Sequence, residues 1–361
     1  MRFWAALCTA LLLPLAAPAE TTKTPQADRI RIATFNTELS RKGPGLLLRD
    51  LLRQKDPQIA AVTETITAAD PDILLLQGMD WDLNSATLNA FADLLAEIIA
   101  PYPHQFAPRP NSGLATGLDM DGNGRLGEAR DAQGYGRFTG QGGMALLSRH
   151  PIHSSQIRDL SALLWKDLPG AVLPVHPDGS PFPSAEAQDA QRLSSRGHWV
   201  VPIQLRDDVT LTLMAFQATT PLFDGEEDRN GLRNRDEIRL WQVLLDGDLG
   251  PVPTPPFVIA GGASLDPRRG AGQRDTVFRL LQDPRLQDPR PTGADGHVAT
   301  VDWGRSGRMR VDYLVPSRAM NVLDAGLIWP AEIPAPDGDG DRLASRHALV
   351  WIDLEIPSSA D

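Results

Sequence analysis

The stretch Ile30-Arg31-Ile32-Ala33-Thr34-Phe35-Asn36-Thr37-Glu38-Leu39 decides how this chain folds. Ile30, Ile32 and Thr34 fall on one face at a period of two residues, with Ala33 and Phe35 on the other, so both faces can be buried. That pattern predicts an inner strand of a sheet covered on both sides. It ends polar, at Asn36, Thr37 and Glu38. The same device, a short apolar strand delivering a polar residue at its end, recurs at Ile73–Gly78, Met144–Ser148, Leu211–Gln217, Phe257–Ser264, Met309–Tyr313 and His347–Leu354. Strands that end polar on one edge of a sheet make a site.

Between these strands the spacing of apolar residues changes. Short helices are predicted over Pro44–Leu52 and Lys55–Ala69, and an amphipathic one over Leu83–Ala100. Arg229–Asp246 and Gln273–Leu281 read as two more, and Trp199–Leu205 with Thr210–Ala218 as a hairpin around Arg206-Asp207-Asp208. Helices alternating with strands imply crossover packing on a sheet, hence an α/β fold. Two long irregular stretches, 102–143 and 158–198, read as insertions into a domain running from 30 to 356.

At 361 residues, 42% hydrophobic and 22% charged, the chain has ample apolar content for a core. Its net charge of −11 argues against non-specific nucleic-acid binding, which rests on basic surface. Residues 1–19 combine Arg2, an apolar run Phe3–Ala16 and the small residues Ala17-Pro18-Ala19, the design of a cleaved signal peptide. A polar tether, 20–29, follows. The single cysteine, Cys8, lies in the segment to be removed, so the mature chain is expected to have no disulfide and no thiolate chemistry. A periplasmic or secreted protein with no membrane span in the mature chain is the expectation, and nothing specifies its oligomeric state.

Several strand ends carry a resemblance. The order Ile30–Asn36, Pro71-Asp72-Ile73-Leu74-Leu75-Leu76-Gln77, Gly143–Ile152, Arg310-Val311-Asp312-Tyr313-Leu314 and Ser345-Arg346-His347 resembles the endonuclease/exonuclease/phosphatase family over about residues 30 to 355. The resemblance implies a four-layer α/β sandwich: two mostly antiparallel sheets face to face, with helices outside. It also implies magnesium-assisted hydrolysis of a phosphate ester at one edge of the sandwich. Asn36 stands where the family has its first-strand asparagine, and Asp312 and His347 where it has its aspartate–histidine pair. These three are the expected catalytic residues. In such a site carboxylate and amide oxygens hold a hard cation, and a histidine oriented by an aspartate activates water.

The departures bear on function as much as the matches. Gly78 stands where the family's metal-binding glutamate belongs, and Gly262 and Ser264 where the Asp-x-Asn pair belongs. Gln217 replaces a histidine, and Arg346 an aspartate. A dication there would meet neutral oxygens and a guanidinium. Arg346, Gln217 and Ser264 are therefore expected to bind a phosphate-bearing or other anionic small ligand, with no cofactor, or magnesium if activity persists. Asp80 and Asp82 are candidates for a shifted metal ligand, set against helix capping. Asp119, Asp121 and Asn123, followed by Gly124, open like a calcium loop, but Arg130 fills its closing position. Three readings follow: an exported family member without catalysis, a working magnesium phosphoesterase with an altered metal shell, or a calcium-dependent surface module.

Overall fold

The computed structural model describes residues 29–334 and 341–356. The expected signal peptide, its expected cleavage point and nearly all of the expected tether lie outside the described residues. Among the described residues no helix is long and apolar enough to cross a membrane.

The first half runs β1 (Arg29–Asn36), α1 (Leu46–Arg53), α2 (Pro57–Ala69), β2 (Ile73–Met79), α3 (Ala86–Ala96), β3 (His104–Phe106), β4 (Gly143–Ser148) and β5 (Arg158–Asp159). Then follow α4 (Ala185–Ala190), the hairpin β6 (His198–Arg206) and β7 (Val209–Gln217), α5 (Arg229–Leu245), β8 (Phe257–Gly262) and α6 (Asp275–Leu281). The chain closes with the small hairpin β9 (Val301–Asp302) and β10 (Arg308–Met309), β11 (Asp312–Pro316), β12 (Val322–Ile328), β13 (Glu332–Pro334), β14 (Asp341–Leu343) and β15 (Leu349–Glu355).

Two sheets form, in the orders β12-β15-β1-β2-β4-β3 and β11-β8-β7-β6-β5. Each is antiparallel except for one pair, β1 with β2 and β7 with β8. Those pairs need crossovers, because parallel neighbours cannot be joined by a tight turn; α1 and α2 supply one and α5 the other. Ile30, Ile32, Ile73 and Leu75 of one sheet meet Leu211, Leu213, Val258 and Leu314 of the other in one apolar core. Ala33, Phe35, Leu74 and Leu76 point the opposite way, onto Leu47, Val62, Ile66 and Phe91 of the helices. Met214, Phe216 and Ile259 do the same against Ile238, Trp241 and Val277. The period-two reading of the opening strand therefore holds on both faces, and four layers result.

Local boundaries differ from expectation for physical reasons. The strand expected to begin at Met309 begins at Asp312, because Arg308 and Met309 pair backwards with Asp302 and Val301. The helix expected over Leu83–Ala100 is shorter, and Asp82 sits outside it, accepting the N–H groups of Ala86 (2.9 Å) and Thr87 (2.7 Å). The insertions are mainly irregular, yet the second contains α4, and Asn111 of the first ties it to the second by donating to the carbonyls of Ser161 and Ser194.

Candidate functional site

Asn36, Gln217, Gly262 and Asp312 all arrive at the same end of the sandwich because β1, β7 and β8 run towards it and β11 starts there. Register places Asp312 opposite Gly262, and Gly262 beside Gln217. His347 lies just before β15 and bridges to Val301 of the small hairpin. Its Nδ1 donates to Asp312 Oδ2 at 2.7 Å. Thr300 Oγ1 donates to the same oxygen at 3.0 Å while accepting the N–H groups of Val311 and Asp312. On the far side of the ring, Asn36 Nδ2 stands 3.3 Å from His347 Nε2. The aspartate–histidine pair and the asparagine are thus brought together, and the pair is buried.

Burial by itself would push the His347 imidazole down. The charge and hydrogen bond of Asp312, with Glu38 nearby, outweigh it, and the pKa is raised. Trp303 covers the ring edge-on, with centroids 5.5 Å apart.

Glu38, which the sequence reading left unassigned, is central. It lies two residues beyond Asn36 with φ of 50°, in the left-handed region. Its carboxylate accepts the Arg346 backbone N–H (2.8 Å) and Nε (2.9 Å), with a further contact from Nη2. Desolvation would raise its pKa, but the hydrogen bonds of Arg346 and the charges of His347 and Arg346 hold it below the usual carboxylate range. Arg346 also stacks on Trp303, its Cζ 4.6 Å from the ring centroid. Arg346, expected to bind an anionic ligand, has a chain carboxylate against its Nε and Nη2.

The remaining candidates divide. The Gln217 Cγ lies 3.7 Å from where a Gly262 side chain would start, and its Oε1 is buried without a partner. Ser264 turns away from the cleft and donates to the Ala218 carbonyl at 3.0 Å. Asp80, a candidate for a shifted metal ligand, is held by the backbone. Its carboxylate accepts the N–H groups of Arg41 (2.8 Å) and Gly142 (2.9 Å), and burial raises its pKa despite those bonds. Asp82 is committed to the start of α3, which is the capping role.

A divalent ion does not fit this donor set. A Cβ on Gly78, which has φ of 67°, would meet Asn36 Oδ1 at 2.4 Å and the Glu38 nitrogen at 3.0 Å, so a side chain there is strained and must displace Asn36. A Cβ on Gly262 would lie 3.3 Å from Asp312 Oδ1, the one carboxylate oxygen of the centre that is buried and unpartnered. One free anionic oxygen and amide oxygens, beside an arginine, do not offset the dehydration of a hard dication.

In the first insertion, Asp119, Asp121 and Asp131 gather, with carboxylate oxygens within 4.8 Å of one another. The expected closing position, Arg130, lies one residue short of Asp131, and its guanidinium reaches Asp121 at 3.8 Å. Asn123 lies beside the group, its amide donating to Asp121 (3.1 Å) and Glu128 (2.7 Å).

The profile described as "Endonuclease/Exonuclease/phosphatase family" matches residues 33–347. No curated protein matches this chain. Among solved structures, an endonuclease/exonuclease/phosphatase from Beutenbergia cavernae is similar at 18% identity and a TM-score of 0.54, covering 92% of this chain and 72% of its own. Sphingomyelinase C from Streptomyces griseocarneus is similar at 16% identity and a TM-score of 0.51, over 90% of this chain and 99% of its own. A Staphylococcus aureus beta toxin variant with bound magnesium ions is similar at 10% identity and a TM-score of 0.51, over 90% of this chain and 99% of its own. These likenesses speak to the fold. With the profile spanning nearly the whole sandwich and the aspartate, histidine and asparagine at their strand ends, the chain belongs to the endonuclease/exonuclease/phosphatase family.

Proposed function

We propose that this protein is an exported member of its family that has given up metal-dependent phosphoester hydrolysis and keeps a cleft for a phosphate-type anion. The observation that carries the reading is the filled metal position: Asn36 and Glu38 close the space at Gly78, and Arg346 neutralises Glu38. Asn36 occupies the imidazole face of His347 that a general base would turn to water. Export rests on residues 1–19, and N-terminal sequencing of envelope or secreted protein should start at or near Glu20.

A second reading, a magnesium phosphoesterase with an altered shell, draws on the intact Asp312–His347 pair at 2.7 Å. The two separate in one assay. The full chain is incubated with a generic phosphodiester, with and without magnesium, beside its His347→Ala variant. The proposal expects no turnover in any tube; magnesium-dependent turnover abolished by His347→Ala would overturn it.

A further inference from the structure

Arg346 is arranged as an anion receptor, and the chain itself loads it. Its backbone N–H (2.8 Å), its Nε (2.9 Å) and its Nη2 converge on the Glu38 carboxylate, three donors on one group. A guanidinium meets a bound carboxylate or phosphate in the same way, at two points, and here a main-chain donor is added. The receptor does not depend on Glu38 for its position. The guanidinium lies on the Trp303 ring, its Cζ 4.6 Å from the centroid, and the Arg346 carbonyl accepts the Asp302 N–H at 2.9 Å. Stacking on an aromatic face holds the cation in place.

The occupant is held differently. The Glu38 backbone is fixed: its N–H donates to Asn36 Oδ1 at 3.3 Å, and its carbonyl accepts from Gln58 Nε2 at 3.2 Å. Its carboxylate, in contrast, has no hydrogen-bond donor among the described residues except those of Arg346. The Arg346 side chain is 56% exposed, against 21% for Glu38. Its Nη1 makes no hydrogen bond among the described residues. An anion can therefore approach from solvent at Nη1 and take over the remaining donors as the Glu38 side chain swings away.

A tethered carboxylate competes as though it were present at a concentration on the order of millimolar or above. A free monocarboxylate offers the same group without the tether and loses that competition. A phosphate group carries a charge of about −1.5 to −2 at neutral pH and has more acceptor oxygens, so it is the class of ligand that can win.

We propose that Glu38 is an internal stand-in for the ligand: it occupies the Arg346 receptor until a dianionic phosphate or sulfate group displaces it, and it keeps the receptor closed to simple carboxylates. The proposal rests on the anion-binding reading above and adds where the anion sits and what it must displace.

The test titrates inorganic phosphate, with sulfate and acetate alongside, into the full chain by calorimetry in the presence of a chelator. Wild type is expected to bind phosphate and sulfate at least tenfold more tightly than acetate. Glu38→Gln should bind phosphate at least tenfold more tightly than wild type, and Arg346→Ala should lose it. Asp302→Asn removes a neighbouring carboxylate that pairs with Arg308 instead, and should change the affinity less than twofold. A carbon-13 NMR titration of the wild type needs no variant to fold: the Glu38 carboxyl signal should move towards that of a free carboxylate as phosphate saturates. Phosphate affinity unchanged or weakened in Glu38→Gln, or raised equally by Asp302→Asn, overturns the stand-in and leaves anion binding standing. Binding retained in Arg346→Ala, or a Glu38 signal unmoved at saturation, does the same. No phosphate binding by the wild type at tens of millimolar overturns both the exchange and the anion-binding reading, whatever the variants do.

Discussion

Gly78 resists a side chain for two reasons. It sits at φ of 67°, where a side chain is strained by about 1–3 kcal/mol, and the direction of that side chain is filled by Asn36 and Glu38. Gly78→Glu is therefore expected to destabilise the protein by at least that strain and to add no magnesium affinity, measured by urea unfolding with and without the ion. The histidines offer a second test at this scale. His347 has a raised pKa, through Asp312 and Glu38 against burial. It contributes stability that is complete below its unfolded value, about 6.5, and lost as pH rises through the folded pKa. His198, fully buried between the Ser194 hydroxyl and the Glu237 carbonyl, is pushed down to about 4. It works in the opposite sense, since the unfolded chain takes up its proton first and stability falls as pH drops from about 6.5 towards that value. An NMR titration at pH 6 should find His347 protonated and His198 neutral. Asp312→Asn should bring the His347 pKa down, and the order of the two histidines reversed would refute the assignment.

At the scale of elements, the two acidic residues after β2 are fasteners. Asp82 satisfies the first turn of α3, and Asp82→Ala is expected to cost about 1 kcal/mol. Asp80 ties the loop after β1 to the start of β4, and Asp80→Ala, which leaves the N–H groups of Arg41 and Gly142 without that acceptor, should cost about 1–3 kcal/mol. Neither substitution should alter any response to magnesium, which thermal melts of both variants will check. The acidic group of the first insertion belongs here too. Burial raises the Asp121 pKa, and the charges of Asp131 and Asp119 add to it. Yet Arg130 lies at 3.8 Å, and the field of Asp121 reaches Arg229. With chain cations already serving these carboxylates, millimolar calcium is expected to leave the melting temperature unchanged. A rise with calcium that Asp121→Ala removes would reverse that conclusion.

For the molecule as a whole, stability depends on the three apolar layers and on internal ion pairs at the site end. A ligand that binds only the native state raises stability by RT ln(1 + [L]/Kd). If Arg346 serves Glu38 where the family uses a metal, neither magnesium nor a chelator should move the midpoint of unfolding. Glu38→Gln should lower that midpoint, because it leaves Arg346 without its carboxylate. The Glu38 contribution is present above the unfolded carboxylate pKa and vanishes as pH falls through its lower folded value. The gap between wild type and Glu38→Gln should therefore shrink in acid.

The long central strands, the two buried faces of the opening one and the crossover helices were legible in the sequence, while the edge strand β12 and the short hairpins were not; the aspartate–histidine pair was legible only through the resemblance to the family. Local periodicity reports which faces are apolar, and the strand end at Asn36 is read from where that periodicity stops; Asp312 came from the family resemblance, and its place at a strand start came only with the fold. The resemblance to the family also exposed the carboxylates missing at Gly78, Gly262 and Arg346, because absence of a carboxylate is a property of one position. What fills the space was not legible. Glu38 meets Arg346 across 308 residues, and Thr300 reaches Asp312 only because a hairpin folds back on itself. Strand periodicity is local and survives in one dimension; electrostatic pairing is a matter of proximity, and only the tertiary structure decides which charges come within reach of one another.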